Sequence, residues 1–164
     1  MVHQKILKWL KPLPNPPKCT KEDKIKIAWA IACDGSITIH CYKHSSHYVL
    51  KPSVGFTNTE ESIVKEVKKT VAMGNIVEHS AGNPKHKDAT IWNLTSFLEI
   101  LHLLKEIKNY LPIKKRRAEL VIEFIESRIK RGVLENQHLP YSKREWEIYE
   151  EVKKLNKRGR ITDD

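Results

Sequence analysis

Apolar residues along this chain recur at two different periods, and an element boundary is expected wherever the period changes. Thr20-Lys-Glu-Asp23 offers an N-cap with an acid three residues on, so a helix is predicted from Thr20 to Cys33 or Asp34, stopped by Gly35. From Ser36 the period drops to two: Ile37, Ile39 and Cys41 point one way and Thr38, His40 and Tyr42 the other. After a polar turn around His44 to His47, Leu50, Pro52, Val54 and Phe56 alternate with Val49, Lys51, Ser53 and Gly55. This predicts a returning strand with an irregularity at Pro52.

A second helix is predicted from near Asn58, carrying Ile63, Val64, Val67 and Val71 and stopping at Gly74. A second hairpin follows, with strands at about Asn75 to Ala81 and Ala89 to Leu94 joined through Gly82, Asn83 and Pro84. Ser96-Phe-Leu-Glu99 reads as the cap of a third helix, expected to be the most buried because its apolar residues from Phe97 to Ile107 nearly encircle it. A fourth helix has Ala118, Val121, Ile122, Ile125 and Ile129 on one stripe and ends at Gly132. Ser142-Lys-Arg-Glu145 is a capping box for a last helix to about Asn156. The order αββαββααα predicts an α+β fold with one four-stranded antiparallel sheet, helices packed on one face.

The 164 residues fit one compact unit. Residues 1–19 are a basic lead rich in proline, 20–131 the expected core, and 132–164 a last helix and basic tail. A formal net charge of +10 is the footprint of a nucleic-acid binder, while four Trp and five Tyr exclude a disordered basic tail. Three cysteines without C-x-x-C spacing argue against a disulfide framework and for a reducing setting. No apolar run is long enough to span a bilayer and no cleavable leader is recognisable, so a soluble intracellular protein with no membrane partner is expected, in cytoplasm, nucleoid or an organelle.

Asp34 changes the picture from architecture to chemistry. It closes the small-residue helix Ile27-Ala-Trp-Ala-Ile-Ala-Cys-Asp-Gly35, placing a negative charge at a helix C-terminus, where a cation is preferred. A divalent metal such as Mg2+, held by the carboxylate and neighbouring backbone carbonyls, would compensate it. The sheet face opposite the helices would carry Thr38, His40, Tyr42, Lys51 and Ser53, a polar and basic surface able to lie in a DNA major groove. His40-Cys41-x-x-His44-x-x-His47 could be read as a zinc site. Adjacent strand residues point to opposite faces, however, so His40 and Cys41 cannot easily share one tetrahedral metal.

The motif Ile27 to Gly35, with the αββαββα pattern over roughly Thr20 to Arg131, resembles the LAGLIDADG homing endonuclease family in its single-motif, homodimeric, intron-encoded form. Tyr110-Leu-Pro-Ile-Lys-Lys-Arg-Arg-Ala-Glu-Leu-Val121 resembles the segment with which such members supply a catalytic lysine. Trp29 departs from the family's usual glycine, and Ala32 replaces the first acid of the motif. The resemblance implies a site-specific double-strand DNA endonuclease that hydrolyses phosphodiester bonds with Mg2+ on a long, pseudo-palindromic site and leaves short 3′ overhangs. Mn2+ or Ca2+ would substitute in binding. Metal would be held by Asp34 and the Cys33 carbonyl, meeting their twins across a dimer seam formed by Ile27, Ala28, Ala30, Ile31, Ala32 and Cys33. Lys114 would stabilise charge on the phosphoryl group; its other reading is a surface lysine in a basic run with Lys115, Arg116 and Arg117. Asn58 would position water near the metal, or cap the second helix through Asn58-Thr-Glu-Glu61, or both.

For DNA reading the resemblance points to Thr38, His40, Tyr42, His44, His47, Lys51 and Ser53. On the second hairpin the preferred phase exposes Asn75, Val77, His79 and Asn93; the alternative phase exposes Glu78. Lys85, Lys87, Arg116 and Arg117 are expected at phosphates, positioning the duplex without reading it. Rival functions on the same fold are an RNA splicing maturase and a DNA-binding regulator that does not cut. A basic RNA-binding protein outside the family is a further alternative.

Overall fold

A computed structural model describes residues 19–80, 82, 87–133, 136 and 138–157, apart from the side chain of His44. The proline-rich lead before Cys19, Lys85 and the tail after Lys157 lie outside the described residues. Helix α1 (Lys21–Asp34) begins as its sequence predicts: Thr20 Oγ1 accepts the Asp23 N–H, and the Asp23 carboxylate accepts the Thr20 N–H. The chain then turns directly into β1 (Gly35–His44). Gly35 is not the left-handed cap expected of a helix-stopping glycine, since its backbone is extended at φ −93°. Its lack of a side chain matters because a Cβ there would lie 2.5 Å from Ile31 Cα and 2.8 Å from the Gly55 carbonyl oxygen.

Strand β1 pairs with β2 (His47–Asn58) in unbroken antiparallel register from Gly35↔Phe56 to His44↔His47. The irregularity expected at Pro52 does not occur. Strand β4 (Ala89–Leu94) pairs with β2 only over Val54 to Asn58, so at Pro52 the strand has a ladder neighbour on one side and its missing N–H breaks no bond to β4. Strand β3 (Asn75–His79) completes the antiparallel sheet in the order β1-β2-β4-β3.

The two hairpins share two adjoining rows, Gly35-Phe56-Trp92-Ile76 and Ser36-Gly55-Asn93-Asn75, and extend from them in opposite directions along the strands. Ile37, Ile39, Leu50, Pro52, Val54, Phe56, Trp92 and Leu94 point to the helix side. Trp92 is fully buried there, its indole N–H donating to the Met73 carbonyl at 2.8 Å.

Helix α2 (Glu61–Val71) buries Val64, Val67 and Val71, while Ile63 faces solvent instead of joining their stripe. It starts later than expected, because Asn58 remains in β2 and Glu60 takes the N-cap position. It stops before Gly74, with Ala72 in the left-handed region. Helix α3 (Phe97–Ile107) has Ser96 at its N-cap but without a side-chain hydrogen bond. The prediction that α3 is the most buried helix is corrected: α4 (Lys115–Lys130) buries Ala118, Leu120, Val121, Ile122, Phe124, Ile125 and Arg128, against four residues in α3. The reason is that α4 packs on its other side against α5 (Lys143–Asn156), as well as on α3 and β1.

Helix α5 is stitched to the sheet and to α4. Asn156 Nδ2 donates to the Ile37 carbonyl, and the Tyr141 hydroxyl accepts the Leu50 N–H at 2.8 Å. The buried Glu145 carboxylate closes the predicted capping box on Ser142 and takes hydrogen bonds from Ser127 Oγ at 2.9 Å and Arg131 Nη1 at 2.7 Å. Arg128 lies 3.5 Å away and rests 4.4 Å above the Tyr141 ring. Burial pushes the Glu145 carboxyl up, but the Ser142, Ser127 and Arg131 hydrogen bonds and the Arg128 charge outweigh it and hold it below its ordinary value.

Removing one partner of such a cluster strands buried cations, so Glu145→Ala should lower the unfolding free energy by about 3 kcal/mol in urea titrations. Because the folded pKa is depressed, Glu145 stabilises fully above the ordinary glutamate pKa of about 4.3 and loses this as pH falls through the lower folded value. The gap between wild type and Glu145→Ala should therefore narrow on acidification in that window.

Candidate active site and nucleic-acid face

The C-terminal end of α1 carries no basic residue of its own, yet it is not left uncompensated. Lys114 Nζ donates to the carbonyls of Ile31 at 2.8 Å, Ala32 at 2.7 Å and Gly35 at 2.8 Å, using all three ammonium protons. A cation thus sits where the helix carbonyls concentrate negative partial charge. Lys114 occupies the N-cap position of α4 in the left-handed region, φ 67° and ψ 4°, which a side-chain-bearing residue adopts at a cost of about 1 kcal/mol or more. Burial and the nearby Arg117 charge lower its ammonium below the ordinary lysine value, although Cys33 and Asp34 pull it upward.

Lys114 takes neither the Cys33 nor the Asp34 carbonyl. Asp34 itself is exposed, and Asn58 at the end of β2 donates from Nδ2 to its Oδ2 at 3.4 Å. The orientation of that amide is defined, because Asn58 Oδ1 accepts the Glu60 N–H at 2.8 Å and leaves only the NH2 group for the acid. The capping box expected of Asn58 and Glu61 is not formed; Asn58 makes this short turn instead. Asp34, Asn58, Lys114 and the Cys33 backbone are therefore brought together at the junction of the two hairpins.

The groups at Asp34 that could ligate a cation are its carboxylate and the Cys33 backbone carbonyl, hard oxygens that suit Mg2+ better than zinc, while Asn58 presents its NH2 and serves to orient the acid. Among the described residues, no group of three or more His, Cys, Asp and Glu side chains is placed to hold a metal ion. The zinc reading of the His40 to His47 stretch fails on the strand's own geometry, with His40 on the outer face and Cys41 on the helix side.

Thr38, His40, Tyr42, His47, Lys51 and Ser53 share the sheet face away from the helices, in the rows Thr38↔Ser53 and His40↔Lys51. The backbone of His44 continues that row. Lys51 Nζ lies 5.7 Å from the Tyr42 ring centroid and the His40 ring 5.9 Å from it. On the second hairpin Asn75, Val77, His79 and Asn93 lie on the same face, and Glu78, opposite Thr90, points to the helix side. Ser36, Val49, Thr57, Ala89 and Ile91 also belong to it. They were missed because the alternation identifies a strand's two faces, whereas only the inter-strand register says which neighbours join them.

Two groups of expected residues lie elsewhere. Arg116 is engaged by Glu151 of α5, at 2.9 and 2.8 Å, and Arg117 Nη2 donates to the Leu155 carbonyl at 2.5 Å. Both guanidinium groups are thus turned to α5, because the first turn of α4 packs beside the last turn of that helix. Lys87 is exposed in the loop before β4. Of the expected dimer residues, Ile27, Ala28, Ile31 and Ala32 are at most 2% exposed within this chain's own core. The outward stripe of α1 is carried by Trp29, which is 54% exposed, with Cys33 exposed and Ala30 partly so. Ile113, next to the ammonium that clasps α1, is 59% exposed.

No protein-family model matches the chain, and no curated protein matches it in sequence. Solved structures do match its fold. The homing endonuclease I-CvuI, in complex with the I-CreI target, superposes at a TM-score of 0.66 with 17% identity, covering 87% of this chain and 89% of that one. The archaeal intron-encoded homing endonuclease I-Vdi141I, complexed with DNA, gives 0.67 at 18% identity over the same shares. The LAGLIDADG homing endonuclease I-GzeII, with its DNA target, gives 0.57 at 19% identity over 79% of this chain and 42% of that longer one. The chain has the LAGLIDADG homing endonuclease fold, with α4 and α5 following its αββαββα arrangement. No described helix is long and apolar enough to cross a membrane.

Lys114→Met removes three charge-assisted hydrogen bonds and should lower the unfolding free energy by about 2 kcal/mol in urea. Lys114→Arg should recover only part of this, since a planar fork cannot address three carbonyls as an ammonium does. A Lys114→Met protein as stable as wild type would rule out the capping role.

Proposed function

We propose that this chain belongs to the LAGLIDADG family and is a homodimeric, Mg2+-dependent endonuclease that cuts both strands of a long, pseudo-palindromic DNA site, leaving short 3′ overhangs. The observation that carries this reading is Asp34: an exposed carboxylate, oriented by Asn58, at the junction of two hairpins whose outer face is polar and basic. Among the described residues Asp34 belongs to no group of three or more acid, His or Cys side chains that could hold a metal, and the proposed site would be completed by the Asp34 of a second copy. When bound, the metal would polarise the scissile phosphate and lower the pKa of the attacking water.

The residues of the chain do the remaining work. Asp34 and the Cys33 carbonyl would hold the metal, with Asn58 fixing the carboxylate, as its hydrogen bond to Oδ2 allows, and ordering water beside it. Lys114 pins the last turn of α1, so that the carboxylate stands at a set height relative to the sheet. With all three of its protons on the carbonyls of Ile31, Ala32 and Gly35, the role of Lys114 opposite a phosphoryl group would be that of a positive charge and not of a hydrogen-bond donor. The outer face enters the major groove, where His40, Lys51 and Tyr42 offer donors and a ring to base edges. Trp29, Ala30, Cys33 and Ile113 make the apolar surface on which the second copy sits, a location that also brings the two Asp34 carboxylates toward one axis.

The test is a plasmid bearing the candidate intron-insertion site, incubated with the protein and Mg2+. Linear product is expected, and Asp34→Asn should shift the DNA in gels while cutting falls below detection. Shifted but uncut DNA with the wild-type protein would favour the non-cleaving regulator, and no shift at all would favour an RNA partner. In sedimentation velocity, Trp29→Glu should convert a dimer to a monomer; an unchanged dimer would place the seam elsewhere.

A further inference from the structure

The outer face divides chemically between its two hairpins. On β1 and β2 the facing pairs are Thr38↔Ser53, His40↔Lys51 and Tyr42↔Val49, polar or basic except for Val49. On β3 and β4 they are Asn75↔Asn93, an amide pair, and Val77↔Ile91, an aliphatic pair. Val77 is 51% exposed, and it points away from the core that its neighbours Ile76 and Trp92 help to build. An aliphatic pair on a face that contributes nothing to the core calls for an apolar partner.

The major groove offers one apolar group, the C5-methyl of thymine, while an asparagine amide matches the N6 and N7 edge of adenine bidentately. We infer that β3 and β4 recognise a short block of A·T pairs, with Val77 and Ile91 against thymine methyls and Asn75 and Asn93 on adenine edges. This rests on the outer face being the DNA-reading surface proposed above. Rows two residues apart are separated by about 7 Å along a strand, roughly two base-pair steps, so the amide and aliphatic rows address different pairs of one block. The five residues of β3 span about 14 Å, enough for roughly four pairs. The basic hairpin β1–β2, which extends the other way from the shared rows, reads a separate stretch of the same half-site.

Duplexes selected by the protein from a randomised library should contain such a block in each half-site. Replacing its thymines by deoxyuracil one at a time deletes only the methyl, and binding should weaken about fourfold at the contacted positions. Val77→Ser should erase the uracil penalty at the thymine Val77 contacts and leave that of Ile91, while Lys51→Ala leaves every penalty in place. The uracil series uses the unaltered protein, so a folding defect cannot imitate its result. If uracil substitution costs nothing at any position, or if no position loses its penalty in Val77→Ser, the inference is overturned while DNA reading stands. If no duplex is selected, the DNA reading falls and takes this inference with it.

Discussion

A helix that ends in open solvent leaves its last carbonyls to water, but α1 ends against Lys114. One ammonium takes the Ile31, Ala32 and Gly35 carbonyls, which ties the last turn of α1 and the first residue of β1 to the start of α4. The remaining geometry depends on this clasp. It fixes where β1 departs, hence the register with β2, and with it the approach of Asn58 to Asp34. The left-handed backbone of Lys114 is the local cost of that arrangement.

The clasp is also what permits an exposed acid at a helix end. A carboxylate there opposes the macrodipole by some tenths of a kcal/mol to about 1 kcal/mol, and Lys114 offsets it without neutralising Asp34 through a direct ion pair. The carboxylate stays available to a ligand while its position is held from behind. Elsewhere the domain uses charge differently: the buried Glu145 and Arg128, with the partly exposed Arg131, form a cluster that joins α4 to α5 and leaves the carboxylate no access to solvent. One lysine prepares a site, and the other cluster locks a scaffold.

The sheet adds a second constraint. Because only two adjoining rows, Gly35-Phe56-Trp92-Ile76 and Ser36-Gly55-Asn93-Asn75, cross all four strands, each hairpin projects beyond the other, giving one long face rather than a compact square one. A surface of that shape suits an elongated partner, and its division into basic and aliphatic halves means that different stretches of the partner meet different chemistry.

The sequence by itself determined the elements, their order and most outward-facing residues of the first hairpin, with a preferred phase for the second, because helix caps and the period-two alternation are local signals. Thr20-Asp23 and Ser142-Glu145 formed the boxes their spacing predicted, and Thr38, His40, Lys51, Asn75 and Val77 all lie on one face. The irregular charge at Asp34 was legible too, but not what answers it within the chain: Lys114 and Ile31 are 83 residues apart. Only the tertiary structure decided that the alanine and isoleucine side chains of α1 are consumed by the chain's own core, leaving Trp29 outside. It alone turned Arg116 and Arg117 toward α5, and gave Gly35 a steric role in place of a conformational one. The physical reason is common to all of these: they depend on which distant surfaces meet, and periodicity along a chain says which way a side chain points but not what it finds there.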